Sequence, residues 1–371
     1  MLAYIIRRVL LIIPTLFGIM LINFAIIQFA PGGPVEQLIS QITGTGADAT
    51  SRISGSSSGS EVGGGARARG PSGAENNSKY RGAQGLDPAF IASLEKQFGF
   101  DKPAYERFYD MMTSYLVFDF GTSYFRDRRV TDLVIEKLPV SISLGLWTTL
   151  LIYLISIPLG VAKAVRDGSR FDIWTSVAVV IGSAIPGFLF AVLLIVLFSG
   201  GSYFSWFPLR GLTSDDWDTM SWAARIGDYF WHMALPLVAM VIGGFATLTM
   251  LTKNSFLEEI NKQYVMTARA KGLTERRVLY GHVFRNAMLI VVAGFPSVFI
   301  GIMFTSNLLI EIVFSLDGLG LLGFESAIKR DYPIMFGTLY FFTLIGLLVN
   351  LISDLTYVLI DPRIDFERRD T

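Results

Sequence analysis

The chain has 371 residues, of which 52% are hydrophobic, and its 31 basic residues balance 31 acidic ones. Its positive mean hydropathy excludes a soluble globule, because the apolar runs are too long for the helices of a soluble core. The absence of net charge argues against a nucleic-acid partner, and the absence of cysteine excludes disulfide bonds and cysteine metal sites.

Six apolar segments are long enough to cross a membrane as helices. A hydrocarbon core of about 30 Å requires roughly 20 apolar residues in a helix. The segments are Val9–Ala30, Val140–Ala164, Ile173–Gly200, Met233–Leu251, Ala287–Ile310 and Ile334–Ile360. The first is too long for the apolar core of a signal peptide and lacks a small-residue cleavage site, so we predict that it is retained. The sequence therefore predicts an all-α membrane protein with six transmembrane helices.

The first span, within residues 1–31, is followed by a long loop, residues 32–137, that divides in two. Residues 43–84 are dominated by Gly, Ser, Ala and Asn and have almost no apolar side chains to bury, so we expect disorder there. Residues 86–137 are expected to form short helices. Asp87 and Pro88 provide an N-cap and a first-turn proline for one helix, which ends at Gly99.

A second short helix is predicted to open at Asp101 and Pro103. It carries apolar and aromatic side chains at helical spacing, namely Tyr105, Phe108, Met111, Met112 and Tyr115. Such a stripe is typical of packing, and a row of ligand-binding residues is the less favoured alternative. We therefore expect a small folded cap on the outer side of the membrane.

The short loops differ in their content of Lys and Arg. Basic side chains gather at the amino terminus, between the second and third spans, between the fourth and fifth spans, and in the tail, residues 361–371. The alternating loops, residues 201–232 and 314–331, carry only two basic residues each. Because basic loops stay in the cytoplasm, both termini and residues 253–285 are predicted to be cytoplasmic. The long first loop is then periplasmic.

The most informative stretch is Tyr264-Val-Met-Thr-Ala-Arg-Ala-Lys-Gly272, within residues 253–285. A good helix-forming run ends at Gly272, and glycine reaches the left-handed conformation after a helix at little cost. Thr274 then offers a hydroxyl as an N-cap, and Glu275 follows in the first turn of a new helix. The pattern predicts a rigid knuckle, a helix, a sharp break and a helix, which suits the transmission of force to a partner. From these residues alone, an ordinary cytoplasmic loop is an equal alternative.

Polar groups inside apolar spans are costly and mark candidate functional positions. Asn307 and Glu311 share one helix face, as do Asn350 and Asp354, because four residues separate each pair. One interpretation places Asn307, Glu311 and Asn350 along a translocation pathway. The other, which we favour, is that Glu311 and Asp354 lie near helix ends and bond to neighbouring helices or to an arginine.

Other patterns do not support catalysis or cofactor binding. Gly318-Leu-Gly320-Leu-Leu-Gly323 has the spacing of a dinucleotide fingerprint, but that motif requires a βαβ unit and here it follows a membrane span. We interpret it as a turn. His232 and His282 are predicted on opposite sides of the membrane, so they cannot share a metal. No catalytic, cofactor-binding or metal-binding residue is assigned.

Motifs along nearly the whole chain resemble those of one transporter family. They are Tyr4-Ile-Ile-Arg-Arg8 with the exit Pro31-Gly32-Gly33-Pro34, Gly99-Phe-Asp-Lys-Pro103, Phe120-Gly121-Thr-Ser123, Leu138-Pro139, the knuckle sequence, Asp317-Gly-Leu-Gly320, Arg330-Asp-Tyr-Pro333, Asn350-Leu-Ile-Ser-Asp354 and Asp361-Pro-Arg363. By this resemblance the chain is identified as a type I ABC importer permease of the B-type dipeptide and oligopeptide branch. Within that branch it is most similar to the permeases that take up microcin C and other oligopeptides.

The chain departs from the family pattern at three places. Gly33 stands where an acidic residue is usual, and Arg285 replaces a later proline. Met266-Thr267-Ala268 replaces the Glu-Ala-Ala opening of the broader importer motif, as is usual in the peptide branch. The long Gly- and Ser-rich tract is unlike a minimal dipeptide permease and favours the microcin C subgroup.

The resemblance implies a type I permease fold, with an ABC transmembrane domain over residues 138–360. It implies that the chain hydrolyses nothing and that two cytoplasmic ATP-binding subunits hold ATP and Mg²⁺. The other expected partners are a second related permease, a periplasmic peptide-binding protein, a peptide substrate and the lipid bilayer of the bacterial inner membrane. The residues expected to couple to the ATP-binding subunits are Tyr264, Thr267, Ala268, Arg269, Ala270, Lys271, Gly272 and Leu273.

Two other functions stay open from the residues alone. A secondary transporter driven by an ion gradient would use Glu311 or Asp354 as a proton site. Such carriers commonly contain internal repeats and broken helices at the membrane midplane, and we recognise neither in this sequence. A structural membrane scaffold would leave the order of the knuckle sequence unexplained.

Overall fold

The computed structural model describes residues 2–29, 32–42, 87–200, 203–305 and 308–360. Over these residues the chain is almost entirely helical, and the single bridge between Thr122 and Arg129 is the only strand-like pairing among them. The all-α prediction is confirmed. Three other predictions fall outside the described residues: the disorder of residues 43–84, the tail at residues 361–371, and the role of Asn307.

Helices make up most of the described residues. In chain order they are α1 (Leu2–Phe29), α2 (Pro34–Ile42), α3 (Pro88–Gln97), α4 (Ala104–Leu116), α5 (Val130–Val165), α6 (Arg170–Ala184), α7 (Gly187–Phe198), α8 (Trp222–Ile260), α9 (Gln263–Ala270), α10 (Glu275–Val278), α11 (Phe284–Thr305), α12 (Leu308–Val313), α13 (Leu319–Lys329) and α14 (Tyr332–Ile360). A 3₁₀ turn, Trp217–Thr219, precedes α8, and a π-helical turn, Leu279–Val283, joins α10 to α11.

Five helical runs among the described residues are long and apolar enough to cross a membrane: α1, α5, α8, the run from α10 into α11, and α14. The predicted third span, Ile173–Gly200, is broken. Its two halves, α6 and α7, meet the same criterion only as a pair, and they are bent by 90°. The expectation that this sequence contains no broken helix was therefore wrong.

Pro186 explains the break between α6 and α7. Proline lacks an amide hydrogen, and its ring pushes the residue before it out of the helical region. Ile185 accordingly has φ −87° and ψ 118°, which is extended backbone. The chain restarts as a helix at Gly187, directly after Pro186.

Two of the spanning helices are much longer than their apolar segments. Helix α5 begins at Val130, ahead of the predicted Val140, and α8 runs from Trp222 to Ile260 around the predicted Met233–Leu251. Hydropathy identifies only the part of a helix that can lie in lipid. The helix itself can extend beyond that part, because its backbone hydrogen bonds also form in water. Ser221 starts α8 by accepting a hydrogen bond from the amide of Ala224.

The chain divides into two compact units. The first comprises Met1–Ile12, Lys137–Gly320 and Phe342–Thr371, and the second comprises Ile13–Glu136 and Leu321–Phe341. Among the described residues, the first unit holds an apolar cluster around Phe256 and another around Met233. The second unit holds the short helices of the first loop.

The first short helix of the loop has the predicted ends. The side chain of Asp87 accepts a hydrogen bond from the amide of Ala89 at 2.9 Å, and Pro88 opens α3. Gly99, with φ +72°, closes it in the left-handed conformation. Helix α3 packs on α2 through Leu94 and Phe98, which contact Val35 and Ile39.

The second short helix, α4, begins after Pro103 as predicted, but no side chain caps it, so Asp101 does not play the expected part. Tyr115 is buried, and the ring of Phe108 lies 5.6 Å from Phe17 and 5.2 Å from Phe24. The predicted stripe is thus largely packed, in agreement with the favoured interpretation. Its first member, Tyr105, is exposed.

Candidate coupling site

The knuckle, residues 261–285, lies between two spanning helices. Helix α8 ends at Ile260, α9 runs from Gln263 to Ala270, and α10 begins at Glu275. The order of helix, break and helix therefore has the predicted bounds. From α10 the chain continues through the π-helical turn into α11 without leaving a helical conformation. Membrane-length helices thus hold the knuckle at both ends.

Gly272 makes the break. Its φ is +80°, in the left-handed region, as predicted. Its amide bonds to the carbonyl of Arg269 at 2.9 Å, and the amide of Leu273 bonds to the carbonyl of Ala268 at 3.3 Å, which together form a Schellman motif. A Cβ added to Gly272 would meet no atom within 4 Å. Glycine is therefore required here by backbone conformation and not by space.

The two sides of the break are joined by an ion pair. Arg269 Nε lies 3.0 Å from Glu275 Oε1, and Arg269 Nη2 donates to Glu275 Oε2 at 3.1 Å. Both side chains are exposed, so the pair contributes at most about 1 kcal/mol, but its fork geometry favours one angle between α9 and α10. Thr274 has the extended backbone of an N-cap, yet its hydroxyl makes no cap hydrogen bond, so that part of the prediction was wrong.

The underside of α9 is packed onto the spanning helices. Val265 and Ala268 are buried in an apolar cluster with Phe256 of α8 and Ala287 of α11, and the cluster continues into α5. The hydroxyl of Ser255 also donates to the carbonyl of Ala287 at 2.6 Å, which ties α8 to α11. Because such interiors are close-packed, α9 cannot tilt without moving the helices beneath it.

Tyr264 fastens the start of α9 to both neighbouring helices. Its hydroxyl donates to Glu259 Oε2, at the end of α8, at 2.7 Å, and it also bonds to the side chain of Asn286 in α11. Lys262 forms a short ion pair with the same Glu259 carboxylate, which raises the pKa of Lys262. Burial and the bond to Glu259 raise the pKa of Tyr264 above 10, so the hydroxyl stays protonated at neutral pH.

The outward face of α9 is exposed. Gln263, Met266, Thr267 and Ala270 recur at positions i, i+3, i+4 and i+7, and all four are exposed. Met266, at the centre of this row, is 64% exposed although it is apolar and flexible. The sequence-based assignment omitted Gln263 and Met266, although their spacing from the buried Val265 and Ala268 would have indicated this face.

The eight predicted coupling residues fall into two groups by exposure. Ala268 is buried and Tyr264 and Leu273 are half-buried, so these three hold the knuckle in place. The other five are exposed: Thr267, Arg269, Ala270, Lys271 and Gly272. A cavity of about 360 Å³ opens beside the break, with Arg269, Glu275 and Arg276 among its lining.

A buried ion cluster stiffens the same unit near the ends of α5 and α8. Lys163, which is fully buried, lies 3.0 Å from Asp172 Oδ1 and donates to the hydroxyls of Thr175 and Ser176. Lys253 of α8 bonds to Asp172 Oδ2 at 2.7 Å. From the sequence, basic residues of these loops served only to predict which loops are cytoplasmic. Because buried charges are stable only when paired, the cluster holds α5, α6 and α8 together.

The candidate pathway residues do not share one environment. Glu311 is fully buried, Asn350 is exposed, and Asn307 lies outside the described residues. Asp354 lies 2.8 Å from Arg8 and accepts a hydrogen bond from Tyr4. The contact of Asp354 with an arginine fits the favoured, structural interpretation of that residue.

Two glycines of the apparent dinucleotide fingerprint, Gly318 and Gly320, lie against Glu311. A Cβ on Gly318 would collide with the Glu311 carboxylate, and one on Gly320 would lie 3.1 Å from its Oε2. Ser141 lies 3.4 Å from the same carboxylate, and its Oγ accepts a hydrogen bond from the amide of Leu319. Only Gly318 lies in a turn, because Gly320 and Gly323 belong to α13, so the interpretation of the whole stretch as a turn was wrong. The buried carboxylate against these glycines fits the structural interpretation of Glu311.

A mostly apolar cavity of about 380 Å³ lies among α5, α7, α8 and α12. Its lining includes Thr148, Phe188, Met240 and the adjacent Gly243 and Gly244. None of the candidate pathway residues predicted from polarity lines it among the described residues. The break before α7 brings Gly187 to its wall.

Comparison with known proteins identifies relatives along the full chain. Residues 156–366 match the family model described as "Binding-protein-dependent transport system inner membrane component". The chain is 63% identical to the peptidoglycan transport system permease protein YejB of Agrobacterium fabrum over 99% of both chains. It is 58% identical to the inner membrane ABC transporter permease protein YejB of Escherichia coli O157:H7, over 99% of this chain and 100% of the other.

A more distant relative and a solved structure extend the comparison. The oligopeptide transport system permease protein AppB of Bacillus subtilis is 32% identical over 99% of this chain and 100% of its own length. A structure of the methionine ABC transporter MetNI in an inward-facing conformation covers 62% of this chain and 97% of the other, with 17% identity and a TM-score of 0.48.

Proposed function

This chain belongs to the family of binding-protein-dependent transport system inner membrane components, and we propose from that premise that it imports oligopeptides as the permease subunit of an ATP-driven transporter. Two ATP-binding subunits dock on the knuckle and carry out the hydrolysis. A related permease completes the pathway, and a periplasmic binding protein delivers the peptide. Both termini are cytoplasmic in this proposal, as the distribution of Lys and Arg predicts.

The observation that carries the proposal is the mounting of α9. Its outward row, Gln263, Met266, Thr267 and Ala270, is exposed, whereas its underside is packed on three spanning helices. A partner that pushes on the outward row therefore moves α5, α8 and α11. An ordinary flexible loop would bend instead and would leave the spanning helices in place.

The mechanism follows from this rigidity. Closure of the ATP-binding subunits moves α9 as one body, because the Schellman motif and the Arg269–Glu275 pair resist bending at the break. Tyr264 passes the movement to α8 through Glu259 and to α11 through Asn286. Each nucleotide state then favours one state of the spanning helices, which is a coupling free energy between two sites.

The source of energy tests the proposal directly. The complex is reconstituted in proteoliposomes with its ATP-binding subunits and binding protein, and peptide uptake is measured. We expect uptake to require ATP on the side of the knuckle and to survive ionophores that collapse proton and sodium gradients. Uptake that follows a gradient and ignores ATP would support the secondary transporter instead.

The cargo is proposed to be recognised through its peptide portion. One relative bears the name of a peptidoglycan transport system and another that of an oligopeptide system, and peptidoglycan fragments and oligopeptides share a peptide chain. Microcin C-like peptides belong to the same proposed class. In the proteoliposomes, unlabelled linear oligopeptide, microcin C-like peptide and peptidoglycan-derived peptide should each compete with a labelled oligopeptide, whereas a free sugar should not. Competition by the sugar alone would contradict peptide recognition.

A further inference from the structure

Helix α4, in the loop after the first span, carries an exposed apolar strip. Tyr105, Tyr109 and Leu116 are 77%, 68% and 68% exposed, and their spacing of four and seven residues places them on one side of the helix. Val117 and Phe118 extend the strip beyond the end of α4 and are also exposed. Contiguous exposed apolar surface of this kind marks a surface that another molecule covers.

The rest of the circumference of α4 is divided between protein and polar side chains. On one side of the strip, Phe108 packs on Phe17 and Phe24 of α1, and Tyr115 packs 5.5 Å from Tyr340 of α14. On the other side, Glu106, Asp110 and Thr113 form an exposed polar arc. Around the helix, a surface in contact with protein, an apolar surface and a polar surface therefore follow one another.

The contacts of α4 lie inside the limits of the two spans that it touches. Phe24 precedes the end of α1 at Phe29 by five residues, and Tyr340 follows the start of α14 at Tyr332 by eight. At 1.5 Å per residue these positions are about 8 and 12 Å inside the ends of their helices. The residues of α4 that make these contacts, Phe108 and Tyr115, therefore lie beside the apolar spans and not beyond their ends.

We propose that α4 lies in the plane of the membrane, with its apolar strip buried in the acyl chains of one leaflet. By the orientation proposed above, this is the outer leaflet. The strip adjoins the side of α1 that contacts Phe108, where Ile13, Phe17 and Leu21 recur every four residues and are 63%, 45% and 44% exposed. A spanning helix exposes such residues to lipid, so the same lipid covers α4.

The polar side chains of α4 are arranged as this position requires. Arg107 extends towards the end of α1, where its Nη2 donates to Gln28 Oε1 at 2.8 Å. Its guanidinium also lies 4.5 Å from the centre of the Phe100 ring. Long basic side chains of membrane-embedded helices reach towards the interface in this way. Lys102 and Asp110 form an exposed ion pair at 2.6 Å on the polar side.

The backbone just after the end of α4 is strained at an apolar residue. Phe118 occupies the position after the helix with φ +58°, a conformation that glycine adopts more easily. A phenylalanine in the left-handed region is strained, and such strain persists only where other contacts hold it. The ring of Phe118 lies 6.2 Å from that of Tyr340, at the same depth. An interfacial helix requires an apolar side chain here, which glycine lacks.

Spin labels at single cysteines test the position of α4. The chain has no cysteine, so Tyr109→Cys and Asp110→Cys each provide one site, on the apolar strip and on the polar arc, and adjacent residues point about 100° apart around a helix. The full complex is labelled with a nitroxide and reconstituted in proteoliposomes. Collision rates are then measured with oxygen, which concentrates in lipid, and with a water-soluble nickel chelate.

We expect the ratio of oxygen to nickel collisions to be several-fold higher at position 109 than at position 110. Tyr105→Cys is the second apolar variant, should Tyr109→Cys fail to assemble, and it should match the high ratio. Frequent nickel collisions at both positions would put α4 in water and overturn the proposal. Low rates with both reagents at position 109 would also overturn it, because they would mean that a protein partner covers the strip.

Discussion

Gly272 is the residue on which the shape of the knuckle depends most. Its surroundings are empty, so the effect of a substitution comes from the backbone at φ +80°. A side chain in this conformation costs about 1–2 kcal/mol, which corresponds to a factor of about 5–30 in the population of the native turn. Asparagine tolerates the conformation better than other residues, whereas valine is branched at Cβ and tolerates it poorly.

Gly272→Val should therefore reduce peptide-stimulated ATP hydrolysis and peptide uptake by the reconstituted complex, while Gly272→Asn should reduce them less. The matched control is Gly281→Ala in the same loop, where the backbone is helical and only Arg277 Cγ approaches, at 4.0 Å. Glu275→Gln is a poor control because it weakens the pair with Arg269. Near-normal activity of both Gly272 variants would show that the break needs no glycine.

Tyr264 gives the second prediction at this scale. Tyr264→Phe removes the hydroxyl that bonds to Glu259, and a hydrogen bond to a charged group is typically worth about 1.5–3 kcal/mol. The variant should insert normally but couple ATP hydrolysis to peptide less tightly, which appears as a higher rate of hydrolysis without peptide. Tyr280→Phe, an exposed tyrosine of the same loop, is the control. Equal behaviour of the two variants would exclude a positioning role for the Tyr264 hydroxyl.

The pKa of Tyr264 sets the pH range of this contact. A raised pKa means that the folded protein binds the phenolic proton more tightly than the unfolded chain does. The contribution to stability is therefore complete below the usual tyrosine pKa near 10 and is lost only as the pH rises through the raised value. The Tyr264 hydrogen bond should thus be unchanged across the physiological range.

At the scale of elements, the packing of the short helices α2 and α3 predicts the effect of deleting residues between them. They pack directly on each other through Ile39 and Leu94, among others. Their association does not require a long connection, and a shorter loop costs less entropy to close. Deleting Ser51–Asn77 should therefore leave expression and assembly of the complex intact, as measured by purification of the intact complex.

A matched deletion makes this prediction specific. Removing Pro88–Gln97, which is shorter, should abolish assembly because it removes α3 and the buried Leu94. Loss of assembly on deletion of Ser51–Asn77 as well would mean that the Gly- and Ser-rich tract is itself part of the fold.

Some features of the helices can be predicted from the sequence, and others cannot. Apolar length located the spans, and local turn chemistry located the ends of α3 and α9, because both signals reside in a few adjacent residues. The 90° bend at Pro186 was overlooked because the apolar run is continuous across it. The buried ion cluster of Lys163, Asp172 and Lys253 was not foreseen, since its members are distant in sequence and meet only through packing.

The candidate site likewise combines features that local sequence predicts with features that depend on tertiary packing. The left-handed Gly272 could be read from the residues beside it, whereas the pairing of Arg269 with Glu275 and the placement of Tyr264 between α8 and α11 depend on tertiary geometry. The exposure of Met266 could have been derived from helical spacing. Pathway residues could not be identified from polarity, because a buried carboxylate such as Glu311 also serves a turn.

At the scale of the whole molecule, coupling requires contact between the outward face of α9 and an ATP-binding subunit. Because the chain has no cysteine, Met266→Cys introduces a single site at the centre of that face. A photoreactive cross-linker is attached there in membranes that contain the complete transporter. Thr113→Cys on α4 is the exposed control, at the opposite side of the membrane in the proposed orientation.

Met266→Cys should cross-link to the ATP-binding subunit with a yield that changes when ATP is added, and Thr113→Cys should not cross-link to it. The change in yield is expected because nucleotide closes the ATP-binding subunits on α9. Cross-linking of Met266→Cys to the periplasmic binding protein, or its failure to reach the ATP-binding subunit in an assembled and active complex, would contradict the coupling role of the knuckle.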